Sequence, residues 1–140
     1  DGICRVLDGT DGREVISIDL YTPAVRSAAM SRDGLYLAST GADNSLRIWN
    51  LRDGSLASAA EHLATSARCC VFIPNGSGLI AGGWDGNCRV FSVPDGELIR
   101  ILQGHTSIVT CCTVSQDGTL FITGSNDRSV RFWKTGDDEA

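Results

Sequence analysis

Residues Gly104–Trp133 read GHTSIVTCCTVSQDGTLFITGSNDRSVRFW, and the fold is decided in this stretch. An apolar run, Ile108–Val114, leads into a turn at Gln116-Asp117-Gly118. A second run, Thr119–Thr123, reaches a tight turn at Asn126-Asp127, and a third, Ser129–Lys134, carries the terminal Trp133. Short runs of β-branched and aromatic residues bounded by Asp, Asn and Gly read as strands joined by hairpin turns.

Working outward, the third run has three earlier copies. DGICRVLD begins at Asp1, DNSLRIWN at Asp43, DGNCRVFS at Asp85 and DRSVRFWK at Asp127, a spacing of 42 residues each time. Arg5, Arg47, Arg89 and Arg131 share one position, and Leu7, Trp49, Phe91 and Trp133 share another. Gly34, Gly76 and Gly118 keep the same register, as do Asp11-Gly12, Asp53-Gly54 and Asp95-Gly96. Several independent landmarks at one period establish an internal repeat.

Each period holds four strand-like runs. The first full copy has Val25–Met30, Leu35–Thr40, Ser45–Trp49 and Ser55–Ala60. The second has Ala67–Ile73, Gly78–Gly82, Asn87–Ser92 and Glu97–Leu102. No segment sustains a 3.6-residue period, so the chain is expected to be all-β. A four-stranded antiparallel unit repeating every ~40–45 residues is the mark of a propeller blade, and blades around a channel leave only short sheet edges.

Composition agrees with a globular domain: 42% apolar and 21% charged residues, 16 Gly and 3 Pro in 140 residues. No stretch approaches the roughly 20 apolar residues that span a bilayer, so no membrane insertion is expected. The net charge of −5 lacks the basic footprint of a nucleic-acid binder. The chain opens inside a repeat without an initiator Met, which predicts a piece of a longer protein.

Gly104-His105, the Asp127 turn and Val130-Arg131-Phe132-Trp133 resemble the WD-repeat β-propeller family, with its G-protein β-subunit-like repeats, and the resemblance runs from Asp1 to Lys134. In that family each sequence repeat supplies the outermost strand of one blade and three strands of the next. The resemblance therefore implies repeats over about 9–50, 51–92 and 93–134, followed by an acidic tail at 135–140. About three four-stranded blades cannot close a ring of about four to eight. The expected architecture is an incomplete ring, part of a seven-bladed propeller or one half of a ring closed by another chain. In the latter case Arg13–Ile18 of one copy would lie beside Ser129–Trp133 of the next.

The resemblance also implies that a His, a Ser or Thr, an Asp and a Trp lock each blade by hydrogen bonds. The third repeat has all four, His105, Thr123, Asp127 and Trp133. The first has Tyr21, Ser39, Asp43 and Trp49 and lacks the imidazole. The second has Leu63, Ala81, Asp85 and Phe91, with His62 one residue out of register. Its blade is expected to be packed by apolar contact, with Asp85 kept by the amides of its turn. Replacing every partner of a buried polar set is nearly neutral, whereas removing one costs about 1–3 kcal/mol.

No catalytic constellation stands out. His105, Thr123 and Asp127 mimic a hydrolase triad, but a triad needs an exposed nucleophile and an oxyanion hole. Gly82-Gly83-Trp84-Asp85-Gly86 lacks the Lys-Ser/Thr of a phosphate loop. The six Cys fall on strands without CxxC spacing, so neither zinc nor another cofactor is expected. They are read as small buried hydrophobes. Free thiols point to an intracellular, reducing compartment, cytoplasmic or nuclear.

Function is expected on loops displayed by the scaffold. In WD proteins one rim, built from the loop entering the inner strand and the turn before the Asp, holds partners. By position those residues are Ala24, Ser66 and Ile108, then Arg26, Arg68 and Thr110, then Ala42, Trp84 and Asn126. Trp84 has small or polar counterparts, and in the G-protein β-subunit branch a Trp at the matching place contacts partners. Trp84 with Arg68 and Ile108 is the expected centre of a surface for other proteins or peptides, with Arg26, Asn126 and Ser66 around it. Asn50-Leu51-Arg52 after Trp49 resembles the Trp-Asp-x-Arg box of substrate receptors for cullin-based ubiquitin ligases, with Asn50 replacing the acidic residue. A third possibility is a propeller segment of a larger enzyme or trafficking protein.

Overall fold

A computed structural model describes residues 2–60, 63 and 65–135. Its described residues form strands and turns without a helix. In chain order the strands are β1 (Ile3–Leu7), β2 (Glu14–Asp19), β3 (Val25–Met30), β4 (Tyr36–Gly41), β5 (Leu46–Asn50), β6 (Leu56–Ala60), β7 (Ala67–Phe72), β8 (Gly78–Gly83), β9 (Cys88–Ser92), β10 (Leu98–Leu102), β11 (Val109–Val114), β12 (Leu120–Ser125) and β13 (Val130–Lys134). They make four antiparallel sheets: β1-β2 (sheet I), β3-β4-β5-β6 (sheet II), β7-β8-β9-β10 (sheet III) and β11-β12-β13 (sheet IV). The architecture is an incomplete β-propeller with two complete four-stranded blades flanked by partial ones.

The turns form where the sequence places Asp, Asn and Gly. Gly34, Gly76 and Gly118 adopt φ of 72°, 78° and 73°, left-handed values that cost a side chain but not glycine. Their amides close tight turns onto Ser31, Ile73 and Ser115 carbonyls at 2.9–3.0 Å. The position after each repeat Asp is also left-handed, with Asn44 at φ 61°, Gly86 at 80° and Arg128 at 68°. A Cβ on Gly86 would stand 2.5 Å from the His105 carbonyl oxygen, so this glycine lets the sheet III turn close on the loop that carries His105.

Strands β3, β7 and β11 are the innermost of sheets II, III and IV and lie side by side. The central strand β8 is buried along its whole length and β4 almost so, because a sheet covers each of their faces. Leu37 and Trp49 of sheet II join Ile18 and Leu20 of the first hairpin in one apolar cluster, while Ala38, Leu46 and Ile48 join Phe72, Leu79 and Phe91 of sheet III in another. Burial of apolar area at these seams, about 25 cal/mol per Å², is the main favourable term holding sheet to sheet. Strand β12 alternates instead of being buried throughout, and Phe132 on β13 is 69% exposed. Among the described residues, sheet IV has a neighbour on one face only.

That asymmetry corrects the expectation for the cysteines. Cys69, Cys70 and Cys88 are buried, but Cys111 is exposed and Cys4 and Cys112 are half-buried. Cys69 is covered by Val109 of sheet IV, and Cys111, its equivalent one repeat on, faces the side without a neighbour. All six are free thiols. Burial pushes the Cys70 and Cys88 thiols up to about 12, which makes them inert packing residues. His62 and residues 136–140 of the acidic tail lie outside the described residues. Thr135, the first residue of the expected tail, follows β13 and donates its N–H to the Thr119 carbonyl at 3.0 Å.

Candidate functional site

The loop between β10 and β11, strand β12, the β12–β13 turn and β13 bring His105, Thr123, Asp127 and Trp133 into one chain of hydrogen bonds. The Trp133 indole N–H donates to Thr123 Oγ1 at 2.8 Å. Because an indole only donates, the hydroxyl oxygen accepts there and is free to donate to His105 Nε2, also 2.8 Å away. Nδ1–H then donates to Asp127 Oδ2 at 2.8 Å. The same carboxylate accepts the Thr106 and Ser129 amides at 3.1 and 2.8 Å and the Ser129 hydroxyl at 2.6 Å. The Ser129 hydroxyl, against the partial burial of the group and helped by His105, holds Asp127 well below the usual carboxylate range. Thr123 is 0% exposed and His105 6%. The Thr123 hydroxyl is fully buried and already accepts the Trp133 indole N–H, whereas a triad needs an exposed nucleophile.

The other repeats keep the Asp but change its partner. In the first, Trp49 Nε1 donates to Ser39 Oγ at 2.9 Å, while Tyr21 stands 71% exposed beside the Trp49 ring. Asp43 receives Arg47 Nη1 at 3.0 Å. In the second, Leu63, Ala81 and Phe91 all join one apolar cluster, which is the apolar packing expected there. Asp85 accepts the Asn87 amide at 3.1 Å and is gripped by both Arg89 nitrogens at 3.2 and 2.7 Å. Burial pushes the Asp85 carboxyl up, but Arg89 and the Asn87 donors outweigh it and leave the group below its ordinary value. The turn amides alone were expected to keep Asp85. The guanidinium was missed, although Arg5, Arg47, Arg89 and Arg131 align at the repeat spacing and give the signal.

The rim residues meet in pairs. The amides of Ala42, Trp84 and Asn126 donate to the carbonyls of Ala24, Ser66 and Ile108 at 2.9, 3.1 and 3.0 Å. One backbone bond thus joins the two rim loops identically in three sheets. Two residues further on, the pairing of each inner strand with its neighbour breaks register between Val25 and Ser27, Ala67 and Cys69, and Val109 and Cys111. Arg26, Arg68 and Thr110 are the bulged residues. A bulge frees one residue from the ladder and re-aims its side chain.

On this common frame Trp84 is 44% exposed where Ala42 and Asn126 stand in the other sheets. The Arg26 guanidinium of sheet II lies over the indole, 5.9 Å from its centroid. That partner was not legible in the sequence, because packing of sheet II on sheet III brings residues 26 and 84 together. Arg26, Arg68 and Asn126 are exposed and Ile108 is half-buried. Ser66 donates its hydroxyl to the Gly41 carbonyl of sheet II at 3.2 Å, so it ties the two sheets together under the rim.

The box-like stretch lies elsewhere. Asn50 Oδ1 accepts the Arg52 amide at 2.9 Å in the β5–β6 turn, Leu51 packs beside the Trp49 cluster, and Arg52 is exposed. Comparison with known families finds matches to the "WD domain, G-beta repeat" family at residues 11–50, 55–92 and 96–134.

Proposed function

The chain belongs to the WD-repeat family, and from that premise we propose that it is a non-catalytic scaffold whose rim, centred on Trp84, is the surface presented to partner proteins. WD-repeat domains generally bind other proteins and are typically non-catalytic scaffolds. The observation that carries the finer proposal is the contrast at one structurally equivalent position. Ala42, Trp84 and Asn126 make the same backbone bond, so the fold does not need an indole there, yet Trp84 offers a large half-exposed ring. Exposed Trp and Arg are the residue types concentrated in interface hot spots. Binding measured for Trp84→Ala in the intact protein tests the proposal: affinity falls while the fold persists, and unchanged binding sinks it.

The ligase-receptor alternative ranks below this, because the Asn50 side chain is occupied in capping its own turn. A wild-type protein that does not bind the adaptor of a cullin-based ligase, or whose binding Arg52→Ala leaves unchanged, would remove it. A role within a larger enzyme or trafficking protein would rest on residues beyond those that form the rim. The six free thiols support an intracellular, reducing setting, cytoplasmic or nuclear. The proposal extends to the open edges: among the described residues, β2 pairs with β1 alone and β13 with β12 alone. Missing blades or a second copy would cover them, and light scattering reporting a stable monomer would count against the second copy.

A further inference from the structure

We propose that the Trp84 rim takes an acidic segment of its partner, Asp or Glu side chains held by Arg26 and Arg68 beside an apolar residue laid on the indole. This rests on the reading of the rim as the docking surface.

The chemistry follows from which charges on the rim are already satisfied. Each of the three described repeat Asp residues has a cation or an imidazole of its own: Asp43 has Arg47, Asp85 has Arg89 and Asp127 has His105. Arg26 and Arg68 are different. Both are exposed, and neither pairs with a carboxylate among the described residues. In a chain of net charge −5, two guanidiniums without a carboxylate partner among the described residues, at equivalent bulges of adjacent sheets, make a local positive patch on an acidic molecule. The third equivalent bulge carries Thr110, whose hydroxyl is bonded to the Gly124 carbonyl, so the patch stops at sheet III.

Trp84 adds shape to the charge. Arg26 lies over its ring in a cation–π arrangement, which fixes a planar guanidinium whose N–H edges remain available. A planar guanidinium fixed in this way suits the two oxygens of a carboxylate, which it can grip bidentately. The uncovered part of the indole then provides apolar contact next to the anion. Arg with aromatic groups also suits single-stranded nucleic acid, but the overall negative charge opposes a polyanion more than a short acidic peptide.

The test is selection of a random dodecamer peptide library on the intact protein, with binding of the recovered peptides measured for variants. Recovered peptides are expected to be rich in Asp and Glu and to lose at least about tenfold in affinity on Trp84→Ala. Arg26→Ala with Arg68→Ala lowers affinity about tenfold, Arg26→Lys with Arg68→Lys by less, and raising the salt weakens binding in the wild type more than in the double alanine variant. Because both arginines are exposed bulge residues, melting curves should shift only by the small loss of the Arg26–Trp84 contact, which separates binding loss from unfolding. Trp84-dependent peptides that are neutral or basic would overturn the acidic assignment and leave the rim reading standing. Recovery of no Trp84-dependent peptide would overturn both. Displacement of every recovered peptide by a single-stranded oligonucleotide, with no acidic enrichment, would replace the peptide by nucleic acid.

Discussion

The second and third repeats build the same blade by opposite means. In the third, a buried His105–Thr123–Trp133 chain ends on Asp127. In the second, Leu63, Ala81 and Phe91 fill the equivalent space with apolar groups, and Arg89 grips Asp85 from the neighbouring strand. Among the described residues, neither solution leaves a buried side-chain polar atom without a partner, the condition under which a buried network stabilises. The repeat with the complete lock has an ordinary Asn126 on its rim, and the repeat without it has Trp84. Conformity to the repeat marks scaffold, and departure from it marks the candidate site.

The largest effect comes from breaking the lock at one point. His105→Ala leaves the buried Thr123 hydroxyl without its acceptor and takes the imidazole from Asp127, which keeps the Thr106 and Ser129 donors, and urea unfolding should show a loss of about 1–3 kcal/mol. Converting the third repeat to the second repeat's pattern, with His105→Leu, Thr123→Ala and Trp133→Phe together, should cost less than the sum of the single changes, because no partner is left unpaired. A triple variant as damaged as that sum would mean the apolar arrangement does not substitute for the lock.

Arg89→Ala should cost less, about 1–2 kcal/mol, since Asp85 is only partly buried and retains the Asn87 amide. The equivalent Arg131→Ala should be nearly silent in the wild type, where His105 holds the Asp, and become harmful in the triple variant. An Arg131 that matters equally in both backgrounds breaks the comparison.

Acid should distinguish the repeats too. Asp127 is held below its unfolded value, so its contribution is complete above about pH 4 and is lost as pH falls through the lower folded value. Asp127→Asn should therefore be less stable than wild type at pH 6 and approach it at pH 2–3 in urea titrations. A constant gap across that range contradicts the linkage.

The smallest expected change is a gain. Arg128 is left-handed at φ 68° where the second repeat has Gly86, and Arg128→Gly or Arg128→Asn should stabilise by about 0.5–1 kcal/mol in thermal melts.

Much of this was legible in the sequence because the period carries it. The landmarks at 42-residue spacing located every strand within a residue or two, from Val25–Met30, observed as expected, to Ser45–Trp49, observed at Leu46–Asn50. The lock was legible because its four residues keep family positions. What a repeat cannot report is contact between repeats. The Arg26 stack on Trp84, the Ser66 tie to Gly41 and the exposure of Cys111 all depend on which sheet lies beside which. Arg89 was visible as an aligned position, but its hold on Asp85 depends on a rotamer that spacing does not specify.

The most direct measurement of the central claim places Trp84→Ala and His105→Ala side by side, each with a melting curve and an affinity for a library-selected peptide. The account predicts a double dissociation. Trp84→Ala should keep its stability within about 1 kcal/mol, the scale of the lost cation–π contact, and lose binding at least about tenfold. His105→Ala should melt earlier and, while folded, bind as the wild type does. A Trp84→Ala protein that unfolds, or that binds the peptide undiminished, would contradict the division between scaffold and site.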